Sequence, residues 1–205
     1  MTVREARGTR SGKTLLTRED WMRSALAAIG DDGVGGVTVD RLARDLRATR
    51  GSFYWHFRGR DELIGAALEL WARESTEERL PELEAIADPL GRLRALIRTV
   101  YEAPADPVEV ALSANASDPR VAPTIARVLR RRLAALRTIF RDLGFSTSEA
   151  SDRAWLTYAF YIGHHQLLGN AEIAAHQPAR LQRLVSVLSS TGTDRPKARE
   201  ETDGR

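Results

Sequence analysis

Cysteine is absent from the 205 residues, so disulfides and thiolate-held metals are excluded. Lysine is almost absent: Lys13 and Lys197 are the only two among 31 basic residues. Arginine therefore stands wherever positive charge is needed, and a single arginine says little about recognition. No apolar run approaches the roughly 18 residues of a membrane helix, and the polar N-terminus does not read as a signal peptide. A cytoplasmic protein is the expectation, and the sequon Asn115-Ala116-Ser117 is read as chance. Strand signals are nearly missing. Aromatic rings make up only 6% of the chain, yet Phe53, Tyr54, Trp55 and Phe57 crowd together around His56.

A hydrophobic fraction of 42% supplies a core, and 29% charge is ordinary for a globular chain. The net charge of +3 hides an asymmetry. Residues 1–60 hold 12 Lys+Arg against 7 Asp+Glu, while residues 61–205 hold 19 against 21. The front of the chain is the end suited to phosphates.

Helix start and stop signals recur along the sequence. Thr17 is placed as an N-cap, with acids behind it and a Leu16/Trp21 pair at staple spacing; the helix it opens is expected to run to about Ile29 and stop at Gly30-Asp31-Asp32-Gly33. Thr38 caps a second helix, with Leu42 and Leu46 on one face, and Thr49 a short third. Asp61-Glu62 suits the first turn of a fourth, running toward Arg79. Asp-Pro at 88–89, 106–107 and 118–119 marks three further starts, with a kink or restart expected at Pro123. Gly144 is placed as a helix stop with Phe145 behind it. Ser146 to Glu149 reads as a capping box, and a last helix is expected over about 178–190. The fold class is all-α, with about nine helices.

Helices from Thr38 to Leu46 and from Thr49 to Phe57, joined by a tight turn, have helix-turn-helix proportions. On a helical wheel Phe53 and Phe57 face inward. Gly51, Ser52 and Trp55 face outward, flanked by Arg50, Tyr54 and His56. Small residues admit such a helix to a DNA groove, an arginine offers guanine a two-pronged donor, and Tyr and His suit phosphate oxygens. Taken singly, Tyr54 and His56 are equally ordinary surface residues.

Thr38-Val-Asp-Arg-Leu-Ala-Arg-Asp-Leu46, Thr49-Arg-Gly-Ser-Phe-Tyr-Trp-His-Phe57 and Arg60-Asp-Glu-Leu63 together resemble the DNA-binding domain of the TetR (tetracycline repressor) family, over about residues 14–74. The resemblance implies a cytoplasmic bacterial repressor: an all-α homodimer that binds a double-stranded palindromic operator and is released by a small-molecule effector. Carried over by position, Thr38, Thr49, Tyr54, His56 and Arg60 would hold phosphates, with Arg50, Ser52 and Trp55 toward the bases. Arg47 stands where the family usually has glycine, so either it adopts φ > 0 or the turn differs.

The implied organisation is a basic arm over 1–13, a DNA-binding domain over 14–74, a ligand-binding and dimerisation domain over 75–190, and a polar tail over 191–205. Arg4, Arg7, Arg10 and Lys13 give the arm a charge that fits a minor groove or mere solubility equally. In the C-terminal half, Trp155, Ala159, Ile162 and Gln166 form one stripe, next to Gly163 and Leu167. These are the candidate dimer contacts. Trp71, Tyr101, Leu136, Tyr158, Tyr161 and His165 are the candidate ligand-cavity residues, although core packing explains each as well.

No cofactor, metal site or enzymatic constellation is expected. His164 and His165 point about 100° apart on a helix, Glu172 and His176 make a lone pair, and Gly33 to Gly36 lacks the lysine of a phosphate loop. The competing reading is a helical small-molecule-binding or enzymatic protein with an incidental basic head.

Overall fold

The computed structural model describes residues 16–102, 106–167 and 177–190. Among these the protein is all-α. Helix α1 (Arg18–Asp32) starts in the expected capping box: the Thr17 side chain accepts from the Asp20 amide, and the Asp20 carboxylate accepts from Thr17. The Thr17 amide and then its hydroxyl, both donating to it, hold the Asp20 carboxyl below its usual range. The helix passes through Gly30 and is capped at Gly33, the last residue of the expected stop. A 3-10 turn, Val34–Gly36, leads into α2 (Val39–Asp45), which is capped by Thr38. Helices α3 (Arg50–His56) and α4 (Arg60–Ala72) follow.

Two helix ends are built alike. After α2 the amide of Arg47 reaches the carbonyl of Arg44, and the amide of Ala48 reaches Ala43. After α8 (Ala122–Asp142) Gly144 bonds to Arg141 and Phe145 to Phe140 in the same pattern. Both are Schellman motifs, which place one residue in the left-handed region. Gly144 sits there at φ 94 and Arg47 at φ 52. The tight turn is thus made without glycine, by Arg47 adopting the strained backbone.

Helix α4 continues as a π-helical turn, Arg73–Glu77, before the short α5 (Leu80–Glu84). Asp88 and Asp106 then accept amides at the starts of α6 (Pro89–Glu102) and α7 (Pro107–Ala114). Asp118 does not cap a helix in the same way. It closes a turn, and α8 begins at Ala122 with Pro123 in its first turn, where proline interrupts no hydrogen bond. Ser146 and Glu149 form the expected capping box of α9 (Thr147–Leu167). Helix α10 (Gln177–Ser189) packs on α6.

Two apolar clusters hold the chain. One contains Trp21, Leu42, Phe53, Phe57, Leu63 and Trp71, and it runs on into Leu112, Val121 and Val128 of the body. The other joins α6, α8, α9 and α10 through Leu93, Leu136, Phe140, Ala154 and Leu188. The head thus shares its core with α7 and α8. No helix among the described residues is long and apolar enough to cross a membrane.

Candidate nucleic-acid interface

Helix α3 is fixed from its inner side by rings. Phe53 and Phe57 are buried and stacked, with centroids 5.7 Å apart, and Trp21 of α1 meets Phe53 edge-on at 5.4 Å. Arg18 clamps the far end. Its guanidinium lies 4.3 Å from the Phe57 ring centroid, its Nε donates to the His56 carbonyl, and it pairs with Glu62. Glu62 also accepts the Arg58 amide at 2.8 Å, which holds its carboxyl below the ordinary range. Neither Arg18 nor Glu62 carries a signal in sequence, because the contact spans 44 positions.

The outer side is open. Trp55 is 89% exposed and Tyr54 62%. A tryptophan left in water forgoes burial that stabilises a typical large apolar side chain by about 1.5–3 kcal/mol. Thr49, Arg50 and Gly51 are exposed, and Ser52 and His56 half-buried. The Thr49 side chain accepts the Ser52 amide at 3.2 Å, so it caps the recognition-type helix while remaining at the surface. Thr38 does the same for α2 through the Arg41 amide. A Cβ built on Gly51 would meet nothing nearer than Thr49 Oγ1 at 3.7 Å. The fold therefore does not need glycine there.

Two arginines stand differently from a simple phosphate contact. Arg60 turns inward: its Nε donates to the Val37 carbonyl and its Nη2 to that of Val34, at 2.7 Å. It ties α4 to the turn before α2, and neither Asp61 nor Glu62 is its partner here. Arg50 lies outward but is gripped by Asp40 of α2, Nε to Oδ1 and Nη2 to Oδ2. That pairing raises the arginine's pKa and lowers the aspartate's.

The candidate ligand residues divide in the same way. Trp71 is buried and its Nε1 donates to Asp106 Oδ2 at 3.1 Å; Leu136 belongs to the second apolar cluster. Tyr158, Tyr161 and His165 do come together, Tyr161 lying 5.9 Å from Tyr158 and 4.6 Å from the buried His165 between ring centroids. The Tyr101 and Leu167 side chains lie outside the described residues, as do the arm, the tail, Glu172 and His176. What sequence reasoning missed is the polar centre beside these rings. Glu109, only 4% exposed, pairs with Arg132 and accepts the Tyr161 hydroxyl at 2.7 Å. Burial pulls the Arg132 pKa down, but the charge and hydrogen bond of Glu109 outweigh it and leave it raised. Burial pushes the Tyr161 phenol well up, aided by the carboxylate. Arg132 also donates to Thr76 Oγ1 at 2.9 Å, inside the π-helical turn that follows α4. A small recess touches this centre, lined by Glu109, Ser113, Tyr161, His165 and Gln166 among others.

On α9 the candidate dimer residues fall on the open side. Trp155 is 54% exposed; Ala159 and Gln166 are exposed and Ile162 and Gly163 half-buried. Leu156 at 63% and Phe160 at 42% on the same helix, and Val187 of α10 at 66%, are further exposed large apolar residues. Arg153 fastens α10 beside it by donating to the carbonyls of Val187, Leu188 and Ser190.

The site is a short helix-turn-helix with a ring-rich outer face, carried by a helical body. Residues 22–73 match the family described as "Bacterial regulatory proteins, tetR family". The transcriptional regulator TtgR of Pseudomonas putida is 35% identical over 86 residues, which cover 42% of this chain and 41% of that one. AcrR of Shigella flexneri is 32% identical over 92 residues, covering 42% and 40%. The match spans about two fifths of the length of these relatives. The fold likeness reaches further. A transcriptional regulator from Rhodococcus superposes with a TM-score of 0.68 at 23% identity, covering 85% of this chain and 94% of the other. Bacillus subtilis FadR, solved with stearoyl-CoA, gives 0.65 at 13% identity, covering 85% and 98%.

Proposed function

We propose that the protein is a sequence-specific DNA-binding transcriptional regulator, a homodimeric repressor released from a palindromic operator by a small molecule. The observation that carries this is the outer face of α3. Trp55, Tyr54, Arg50 and Gly51 stand in solvent on a helix whose inner face is locked by Phe53, Phe57 and Trp21. A rigid, exposed set of rings and donors is what groove entry uses. In this reading Tyr54, Thr38, Thr49 and His56 meet phosphates, Arg50, Ser52 and Trp55 approach bases, and Arg60 positions the turn before α2.

The head occupies about residues 14–74 and the ligand-binding and dimerisation part about 75–190. An effector beside Glu109, Arg132 and Tyr161 would act on Thr76, at the exit of α4, and so on the head that α4 carries. Stearoyl-CoA bound to FadR, and choline bound to a regulator from Saccharomonospora viridis with the same fold at a TM-score of 0.62, are examples of such ligands in related architectures. To empty the operator the effector must favour the released state by several kcal/mol. A binding protein, not an enzyme, is the reading.

The test is selection of binding sites from a random duplex pool by the purified protein at stated salt. Enrichment of a palindrome with half-sites one turn apart, roughly 34 Å, is expected. Recovery of no sequence at all would favour the competing reading, a small-molecule-binding protein with an incidental basic head.

A further inference from the structure

We infer that Asp40 is a specificity-determining residue: it converts Arg50 from a general phosphate binder into a reader of one guanine in each half-site. The inference rests on the DNA-binding reading above and adds to it a residue from α2 that itself touches no base.

An arginine guanidinium carries five N–H donors arranged around a plane. Asp40 occupies one edge of that plane, taking Nε at Oδ1 and Nη2 at Oδ2. The edge left over is the pair of terminal nitrogens, Nη1 with the remaining hydrogen of Nη2. That is the fork which matches O6 and N7 of guanine in the major groove. Both side chains are more than half exposed, so the pair stands at the surface that would meet DNA. A free arginine on a flexible stem at this position would swing to the nearest phosphate, whichever sequence lay beneath it. Held by Asp40 its direction is set, and the neighbouring negative charge weakens its pull toward phosphates. Such a paired arginine gains little from generic duplex and gains fully only where a guanine accepts both free donors.

Three other arginines of the head do other work. Arg18 and Arg60 are spent on backbone carbonyls and rings, and Arg41 pairs with Asp31 and Asp32. Arg50 alone among these combines a place on the outer face of α3 with a donor edge turned away from its own partner. Asp40 also lies in the first turn of α2, where any acid is favoured by the helix end. That favour would be satisfied without Arg50; it does not account for a two-bond grip across the turn.

The experiment is site selection from a random duplex pool by wild type, Asp40→Asn, Arg50→Ala and the double variant, followed by affinities for the selected and a scrambled duplex across salt. If wild type selects nothing, the DNA-binding reading itself has failed. If it selects a palindrome, Asp40→Asn is expected to lose preference at one guanine per half-site, with selected-over-scrambled discrimination falling roughly tenfold, within the range of one two-pronged base contact. Binding to the scrambled duplex should tighten, and its salt slope steepen by about 0.9 for each arginine freed to a phosphate. The double variant should discriminate no worse than Arg50→Ala. Two results overturn the inference. One is an unchanged motif with affinity raised alike on both duplexes, which would mean that Arg50 leaves Asp40 for a phosphate. The other is loss of preference at different base pairs in the two single variants. Equal melting temperatures of Asp40→Asn and wild type separate either result from misfolding.

Discussion

At the residue scale the head shows a division of labour that two positions make plain. Gly51 sits in a helix at a conformation any residue adopts, and a Cβ there would make only an ordinary contact, with Thr49 Oγ1 at 3.7 Å. Alanine there removes a helix penalty of up to roughly 1 kcal/mol. Gly51→Ala is therefore expected to raise the melting temperature while weakening DNA binding at least severalfold, because the added methyl points where a groove would lie. Thermal unfolding and equilibrium binding of the same preparation read the two signs. If both rise together, no close approach occurs at Gly51. Such outward residues were legible in sequence, since periodicity alone separates Phe53 and Phe57 from Trp55. The hidden ones were those whose partner is remote in the chain. Arg60 looked like another surface cation until Val34 and Val37 were seen to receive it, and Glu109 and Arg132 lie 23 positions apart on different helices.

At the element scale the helix boundaries followed local chemistry closely, because caps are local. Thr17, Thr38, Thr49, Asp106 and Ser146 each do what their position in sequence requires. Where neighbouring signals compete, one of them sets the boundary. Of the four residues Gly30 to Gly33 read as the stop of α1, the last ends it, its amide completing the terminal hydrogen bond. The restart expected at Pro123 occurs, with α8 beginning at Ala122, while Asp118 closes a turn instead of opening that helix. The turn after α2 offers a measurement. Arg47 fills at φ 52 the place that Gly144 fills at φ 94 in the twin motif after α8. An L-residue in that region costs about 1–2 kcal/mol, partly offset by glycine's extra freedom in the unfolded chain. Arg47→Gly is expected to stabilise the protein by about 0.5 kcal/mol in denaturant unfolding, and Arg47→Val to destabilise it.

Asp118 supplies the pH dependence at the same scale. The Arg120 side chain, then its amide, pull its carboxyl from 3.8 down to about 2. A depressed carboxyl binds fewer protons folded than unfolded between those values, so stability rises with pH there. The contribution is complete above pH 3.8 and lost as pH falls toward 2. The melting temperature of wild type should fall across that window more steeply than that of Asp118→Asn. Parallel curves would mean that the turn before α8 stores no such linkage.

At the scale of the whole molecule, the exposed apolar surface of α9 and α10 bears on how the head would meet DNA. Trp155, Leu156, Phe160 and Val187 lie on two helices that Arg153 fastens together, so the surface is built before any partner arrives. Large exposed apolar side chains on two helices tied together in this way mark an interaction site, and a second copy of the chain would bury them symmetrically. Paired heads would then read two half-sites at a fixed spacing, and affinity for the palindrome would greatly exceed that for one half-site. Introducing charge at two such positions, Leu156→Glu with Phe160→Glu, desolvates carboxylates in any interface formed there. The variant is expected to sediment as a monomer while keeping its helical circular dichroism. It should bind a half-site as wild type does but lose the preference for the full palindrome. A dimer that persists in sedimentation would place the interface elsewhere, and full palindrome binding by a proven monomer would show that the two heads are not coupled through α9 and α10.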